Sequence, residues 1–231
     1  MISGPDLVLA CPHCGALARL FTISSGSPLG AISWTDGYQE TPDAPRQPNL
    51  VRCAACAKLH WTVQAREVGM IDPAASAENP KVKFADFTVE VPPAEDTLPP
   101  EGWVTAPQMQ TLDEAGYFEA LREGLAVSEE QELELRIHAW WRGNDRFRKL
   151  ESPGRFPTSA EAIANAERLI EMAKEGEHEL VLFRAEALRE LGRFEEARES
   201  LYGLCSDYAP AREKLAELIA AKCRDLDVLF L

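Results

Sequence analysis

The chain has 231 residues, 45% apolar and 27% charged, enough for one large globular domain or two small ones and too apolar for wholesale disorder. Its 24 Lys and Arg stand against 38 Asp and Glu, a formal charge of −14, the wrong sign for gripping phosphate backbones along its length. No apolar run approaches the roughly 20 residues a bilayer span needs, and no basic segment leads into a long apolar one at the N-terminus. A soluble, cytoplasmic protein without a membrane partner is expected.

Residues 1–70 read as short strands around two cysteine pairs. Leu7 and Leu9, then Leu17, Arg19 and Phe21, alternate on either side of Cys11-Pro12-His13-Cys14-Gly15. Ile32, Trp34 and Tyr38 flank Asp36-Gly37, a dipeptide suited to a tight hairpin. After Cys53-Ala54-Ala55-Cys56, the residues Leu59, Trp61, Val63 and Ala65 alternate with His60, Thr62, Gln64 and Arg66, which places His60 on the polar face. Charges here balance: Arg19, Arg46, Arg52, Lys58 and Arg66 against Asp6, Asp36, Glu40, Asp43 and Glu67.

Residues 71–110 hold Asp72-Pro73, Asn79-Pro80, Pro92-Pro93, Pro99-Pro100 and Pro107, a proline density that forbids a long helix and marks a linker. Within it, Val82, Phe84, Phe87, Val89 and Val91 suggest one short extended segment.

Residues 111–231 read as about six helices, with 17 basic against 27 acidic side chains from Glu101 onward. Thr111 with Glu114, Ser128 with Gln131, and Thr158 with Glu161 are capping-box signals for helix starts. Leu133, Ile137, Trp140 and Trp141 share one helical face, as do Ile163, Ala166, Ile170 and Ala173, then Leu180, Phe183, Ala187, Leu188 and Leu191. Further helices are expected near 194–206 and 211–222. The expected fold class is α+β, a small antiparallel β module followed by an irregular helical-repeat domain.

The two Cys-x-x-Cys pairs are separated by 38 residues. Two such turns brought together by a small sheet supply four thiolates at about 2.3 Å in the tetrahedron zinc prefers, with no coordination position left open. One structural Zn2+ held by Cys11, Cys14, Cys53 and Cys56 is expected, contributing folding free energy to a module with a thin core. These knuckles between short strands resemble a zinc ribbon over residues 7–68. Gly15 fits the knuckle pattern, whereas Ala57 stands where glycine is usual. His13 reads as an exposed knuckle residue, and Cys205 and Cys223 as small buried apolar groups.

Two other functions compete. Cys-Pro-His-Cys is also the active-site tetrapeptide of some thioredoxin-type oxidoreductases, which would make Cys11 and Cys14 a redox dithiol. That motif belongs between a strand and a long helix, and it leaves the second pair unexplained. A ribbon with Arg19, Arg46, Arg52, Lys58, Arg66, Trp34 and Trp61 could instead associate with nucleic acid, which the charge balance disfavours.

The run from Glu179 to Ala197 resembles one tetratricopeptide repeat through Ala185, Leu188, Gly192, Phe194 and Ala197, with Leu201, Leu204 and Pro210 following; the resemblance spans residues 177–210. It implies stacked helix pairs that bind a protein or peptide partner. Trp140, Trp141 and Arg136 are the candidate partner-binding residues, one tryptophan being free to face outward because adjacent helical positions point about 100° apart. Arg136, Arg142, Arg146 and Arg148 form a basic strip of solvated charges. The apolar tail at 225–231 either docks on the chain's own groove or serves as an interaction peptide. The sequence contains no Gly-rich phosphate loop, Gly-x-Ser-x-Gly elbow or His-Glu-x-x-His helix, and the expected role is an adaptor rather than an enzyme.

Overall fold

The computed structural model describes residues 2–27, 29–42, 44–72, 81–83, 88–90, 99–148, 159–173 and 178–230. In chain order, the strands are β1 (Ile2–Ser3), β2 (Asp6–Ala10), β3 (Leu17–Leu20), β4 (Ile23–Ser25), β5 (Ile32–Trp34), β6 (Gln39–Glu40), β7 (Leu50–Arg52), β8 (Leu59–Trp61), β9 (Arg66–Ile71), β10 (Lys81–Lys83) and β11 (Thr88–Glu90). The helices α1 (Glu101–Val104), α2 (Glu114–Arg122), α3 (Glu129–Arg148), α4 (Ala160–Met172), α5 (His178–Glu190), α6 (Phe194–Ser200) and α7 (Ala209–Ala220) follow, then β12 (Val228–Phe230). All pairings between these strands are antiparallel, so the chain is α+β.

The chain divides into two compact units, residues 1–29 with 43–112, and residues 30–42 with 113–231. The first is built on a sheet of order β3-β2-β9, with hairpin β7-β8 and the pair β1-β4 beside it. Val8, Leu9, Leu20, Leu50, Val51, Leu59, Trp61 and Ile71 fill its interior, joined by Met109. Met109 arrives because residues 107–109 run along the open edge of β3: Arg19 N–H donates to the Pro107 carbonyl at 2.8 Å, and Met109 N–H to the Arg19 carbonyl at 2.7 Å. Trp103 of α1 lies directly over Gly69 of β9, where a Cβ would stand 2.1 Å from its ring, so only glycine admits this contact.

Several local expectations change. The alternation after Cys56 stops at Trp61, because a 3-10 turn at Thr62–Gln64 intervenes before β9 begins. Thr62 Oγ1 donates to the Pro48 carbonyl at 2.6 Å and the Gln64 amide oxygen accepts from Trp61 N–H at 3.2 Å, fixing the bend. Val63 is thereby exposed and His60 buried, the reverse of the alternation. In the linker, Val82 and Val89 sit on two paired strands, β10 and β11, rather than one extended segment; Phe84, Phe87 and Val91 lie outside the described residues.

In the second unit, Asp36-Gly37 does form a hairpin turn, with Gly37 at φ +77° and Trp34 N–H donating to the Tyr38 carbonyl at 2.9 Å. That hairpin, β5-β6, belongs with the helices and not with the cysteine pairs. The tail resolves into β12, which pairs with β5 to give a sheet of order β12-β5-β6, and Lys214 Nζ holds Asp227 at 2.8 Å. The tail therefore docks on its own chain.

Helix starts follow capping chemistry with shifted residues. Asp113, not Thr111, caps α2, its Oδ1 accepting from Gly116 N–H at 2.8 Å; the carboxylate stands next to the first helical residue and outcompetes the more distant hydroxyl. Ser128 Oγ accepts from Gln131 N–H at 3.3 Å, and the Gln131 side chain accepts from Val127 N–H at 2.9 Å. Ser159 caps α4, and Thr158 lies outside the described residues. The helical core joins Trp140, Ala166, Leu169, Ala185, Leu188, Ala197, Leu201 and Leu215. On α4 the buried face is Ala162, Ala166, Leu169 and Ile170, and Ile163, predicted inward, is exposed.

Candidate metal centre

Each cysteine pair sits at a hairpin tip. Residues 11–16 join β2 to β3, where Ala10 pairs with Leu17, and residues 53–58 join β7 to β8, where Arg52 pairs with Leu59. The two tips repeat one hydrogen-bond pattern. Cys11 N–H donates to the Ala16 carbonyl at 2.9 Å and Gly15 N–H to the Cys11 carbonyl at 2.9 Å; Cys53 N–H donates to the Lys58 carbonyl at 3.0 Å and Ala57 N–H to the Cys53 carbonyl at 2.9 Å. Gly15 has φ +75° and Ala57 φ +61°. The second knuckle thus takes the same left-handed residue as the first, with alanine bearing the strain that glycine avoids.

The four Sγ atoms lie within 4.8 Å of one another. Cys14 and Cys53 are 3.7 Å apart and Cys11 and Cys56 3.9 Å apart. A tetrahedron with bonds of about 2.3 Å to sulfur has edges of about 3.8 Å, so these two pairs already stand at the spacing of a tetrahedral thiolate site. Cys11 and Cys53 are buried, Cys56 half-buried and Cys14 exposed.

Four thiols this close cannot ionise together without a cation among them. The Ala16 amide pulls Cys14 down, but hydrogen bonding with Cys56, Cys53 and Cys11 and partial desolvation outweigh it and push the thiol up to about 12. Desolvation pushes Cys53 up, but the amides of Cys56 and Ala55 and the neighbouring thiols prevail and hold it at about 7. Cys11, Cys14, Cys53 and Cys56 would hold a divalent ion as thiolates, and its charge would remove the conflict.

The nearby histidines stay outside the sulfur cluster. His13 is exposed as expected, its Nε2 lying 3.3 Å from the Leu59 carbonyl. His60 is only 2% exposed, and neither of its ring nitrogens has a hydrogen-bond partner among the described residues. Burial lowers its pKa, against a weaker opposing influence from the Lys58 carbonyl, so its imidazole is neutral at pH 7. Beside Cys11 and Cys53 lies a cavity of about 350 Å³ walled by Ala18, Val51, Pro107 and Met109.

The residues expected to meet a partner are placed differently. Trp140 is 1% exposed and Trp141 6%, so neither is a surface anchor. The reason is the inserted hairpin: Trp141 Nε1 donates to the Asp36 carbonyl at 2.9 Å, while Trp140 Nε1 donates to Glu190 at 2.7 Å. Asn144 bridges the two acids, donating to Asp36 at 2.9 Å and Glu190 at 3.1 Å, and Arg148 pairs with Asp36. Arg136 is tied to Glu132 at 2.8 Å and to Asn165 at 3.2 Å. The basic strip is likewise neutralised, with Arg142 on Asp145 and Arg146 on Glu114. Cys205 and Cys223 are half-buried rather than fully enclosed.

No alternation signal marked the buried acids. Asp36 was legible only as turn chemistry, yet Asp36, Glu186, Arg189 and Glu190 are all fully buried. Among the described residues, no helix is long and apolar enough to cross a membrane. No protein-family model, no curated protein and no solved structure matches the chain.

Proposed function

We propose that this chain is a zinc-stabilised protein-interaction adaptor, its first unit a zinc-ribbon-like module closed by Cys11, Cys14, Cys53 and Cys56, its second a helical binding unit of tetratricopeptide-like character. The observation that carries the zinc reading is the sulfur geometry, two hairpin tips of matching hydrogen-bond pattern presenting sulfurs 3.7 and 3.9 Å apart. A closed set of four thiolates offers no position to a substrate, so the metal's role is structural and the chain is read as a binding protein rather than an enzyme. The position of Cys11 and Cys14 in a turn between two antiparallel strands, β2 and β3, rather than between a strand and a helix, weighs against a thioredoxin-type dithiol.

The tetratricopeptide-like reading draws on α5 and α6. Gly192, at φ +82°, ends α5, and Ala185 and Ala197 are wholly buried where the helices meet. Beside this pair, a cleft of about 400 Å³ is lined by His178, Val181, Arg184, Glu199, Tyr202 and Leu204. Tyr202, 75% exposed, replaces the buried tryptophans as the proposed partner contact, since tyrosine and arginine beside an apolar surface are the usual chemistry of interface anchors.

Metal analysis of protein purified without added zinc tests the first half; one zinc per chain with four thiols protected until chelation is expected, and metal-free protein that takes up no zinc refutes it. For the second half, Tyr202→Ala is expected to keep the wild-type melting temperature and lose partner recovery in pull-downs. Unchanged recovery removes the cleft from the proposal.

A further inference from the structure

Within the cluster of four sulfurs, two close contacts cross from one tip to the other. Cys14 and Cys53, at 3.7 Å, and Cys11 and Cys56, at 3.9 Å, each join one tip to the other. Each pair also combines a sulfur that solvent reaches, Cys14 or Cys56, with a buried one, Cys53 or Cys11. That is the arrangement a two-electron oxidation requires: one thiolate open to the oxidant and a second, shielded from it, within reach to resolve the product. The cavity beside the buried sulfurs does not undo the asymmetry, because Cys11 is 6% and Cys53 8% exposed.

We propose that the cysteine cluster is a redox switch in which a peroxide converts the four thiolates to the cross-tip disulfides Cys14–Cys53 and Cys11–Cys56, releasing the zinc while the two hairpins remain tied together. This rests on the zinc reading above. In the first step the Cys14 thiolate displaces hydroxide from hydrogen peroxide and becomes a sulfenic acid. The Cys53 thiolate then attacks that sulfur, the S–S bond forms, the S–O bond breaks and a second hydroxide leaves. Two electrons pass from sulfur to peroxide, and the two hydroxides take protons from solvent to become water. A second peroxide oxidises Cys56 and Cys11 in the same way.

The pairing decides the consequence. Closing 3.7 Å to an S–S bond of about 2.0 Å draws the tips together along the axis the metal already spans. Disulfides inside each tip, Cys11–Cys14 and Cys53–Cys56, would leave β2-β3 and β7-β8 without any cross-link. Cross-tip bonds replace the metal clamp with a covalent one, so the oxidised unit keeps its strands, and a thiol reductant with zinc restores the starting state.

The test uses the full-length Cys205→Ser/Cys223→Ser chain, with wild type mapped in parallel in case that variant fails to fold. Zinc content is measured first. The protein is then titrated with hydrogen peroxide beside a colorimetric zinc indicator, alkylated, digested and mapped for disulfides by mass spectrometry. The expected result is one zinc released for two peroxides consumed, Cys14–Cys53 and Cys11–Cys56 as the main linked peptides, and strand circular dichroism retained relative to chelator-treated reduced protein. Disulfides within the tips as the main product, sulfinic or sulfonic acids without disulfides, or zinc retained in excess peroxide would each overturn the proposal. Protein that never binds zinc would instead sink the metal reading, and the same peptide map of the metal-free chain would still decide the pairing.

Discussion

Ala57→Gly and Gly15→Ala probe the knuckles in opposite directions. Ala57 holds φ +61° in a turn whose counterpart uses Gly15 at φ +75°. An L-residue in the left-handed region costs about 1–2 kcal/mol, and exchanging alanine for glycine returns about 0.4–1 kcal/mol of that to the freer unfolded chain. Ala57→Gly is therefore expected to stabilise the first unit by about 0.5–1 kcal/mol. Gly15→Ala should cost a similar amount, since its added Cβ would meet nothing within 4 Å and only the backbone is penalised. Urea denaturation of the zinc-loaded full chain, followed by zinc release to an indicator, reads the first unit directly. With a slope of about 1.5 kcal/mol/M, the midpoints should move by about 0.5 M, upward for Ala57→Gly and downward for Gly15→Ala. A lowered midpoint for Ala57→Gly, or an unmoved one for Gly15→Ala, would refute the equivalence of the two tips and with it the symmetric metal clamp.

Trp140→Ala should destabilise the helical unit by about 3–5 kcal/mol, because it empties a core site and removes one of the two side-chain donors to Glu190; chemical denaturation followed by helix signal checks this, and a change under 1 kcal/mol would contradict the burial. Glu190 is pushed well above the ordinary carboxylate range, first by burial and then by Glu186 and Asp36, against Arg189 and the Trp140 and Asn144 donors, with Arg224 bound to its backbone carbonyl. Its folded form keeps a proton that the unfolded form loses above about pH 4.3, so this group's stabilising contribution is full below that value and is lost as pH rises through the folded pKa. Glu190→Gln should flatten the melting-temperature profile above pH 5 and raise it at alkaline pH; profiles parallel to wild type would exclude a retained proton. Chelation at neutral pH should abolish the strand signal of the first unit while the helical signal at 222 nm persists, and circular dichroism before and after zinc return checks it.

The four candidate metal ligands were legible because their signal is local. Two Cys-x-x-Cys pairs with short alternating segments around them fix thiol chemistry within a few residues, and hairpin closure at Ala10 with Leu17 and Arg52 with Leu59 needs no distant information. Gly15 carried its turn in its lack of a side chain, and the departure at Ala57 did not alter the backbone, where the same hydrogen bond to the first cysteine of the tip forms at 2.9 Å despite about 1 kcal/mol of strain. Helix positions were similarly readable, with cap residues displaced by one or two places where an equally competent side chain stood nearer the first turn.

Faces were another matter. Periodicity says which helical positions point the same way, but whether a face meets water depends on what else reaches it. Asp36, 105 residues before Trp141, brings the hairpin that turns the supposed anchor into core and recruits Asn144, Arg148 and Glu190 into one buried network. The fate of the apolar tail depended likewise on an open edge at β5, to which Val228 and Phe230 pair across almost two hundred residues. Amino-acid order thus determined the elements and the sulfur donors, where the physics is set by neighbours in the chain. Only the folded arrangement decided burial, and with it which charges are held from solvent, because burial is a property of the elements that meet at a surface and not of any one of them.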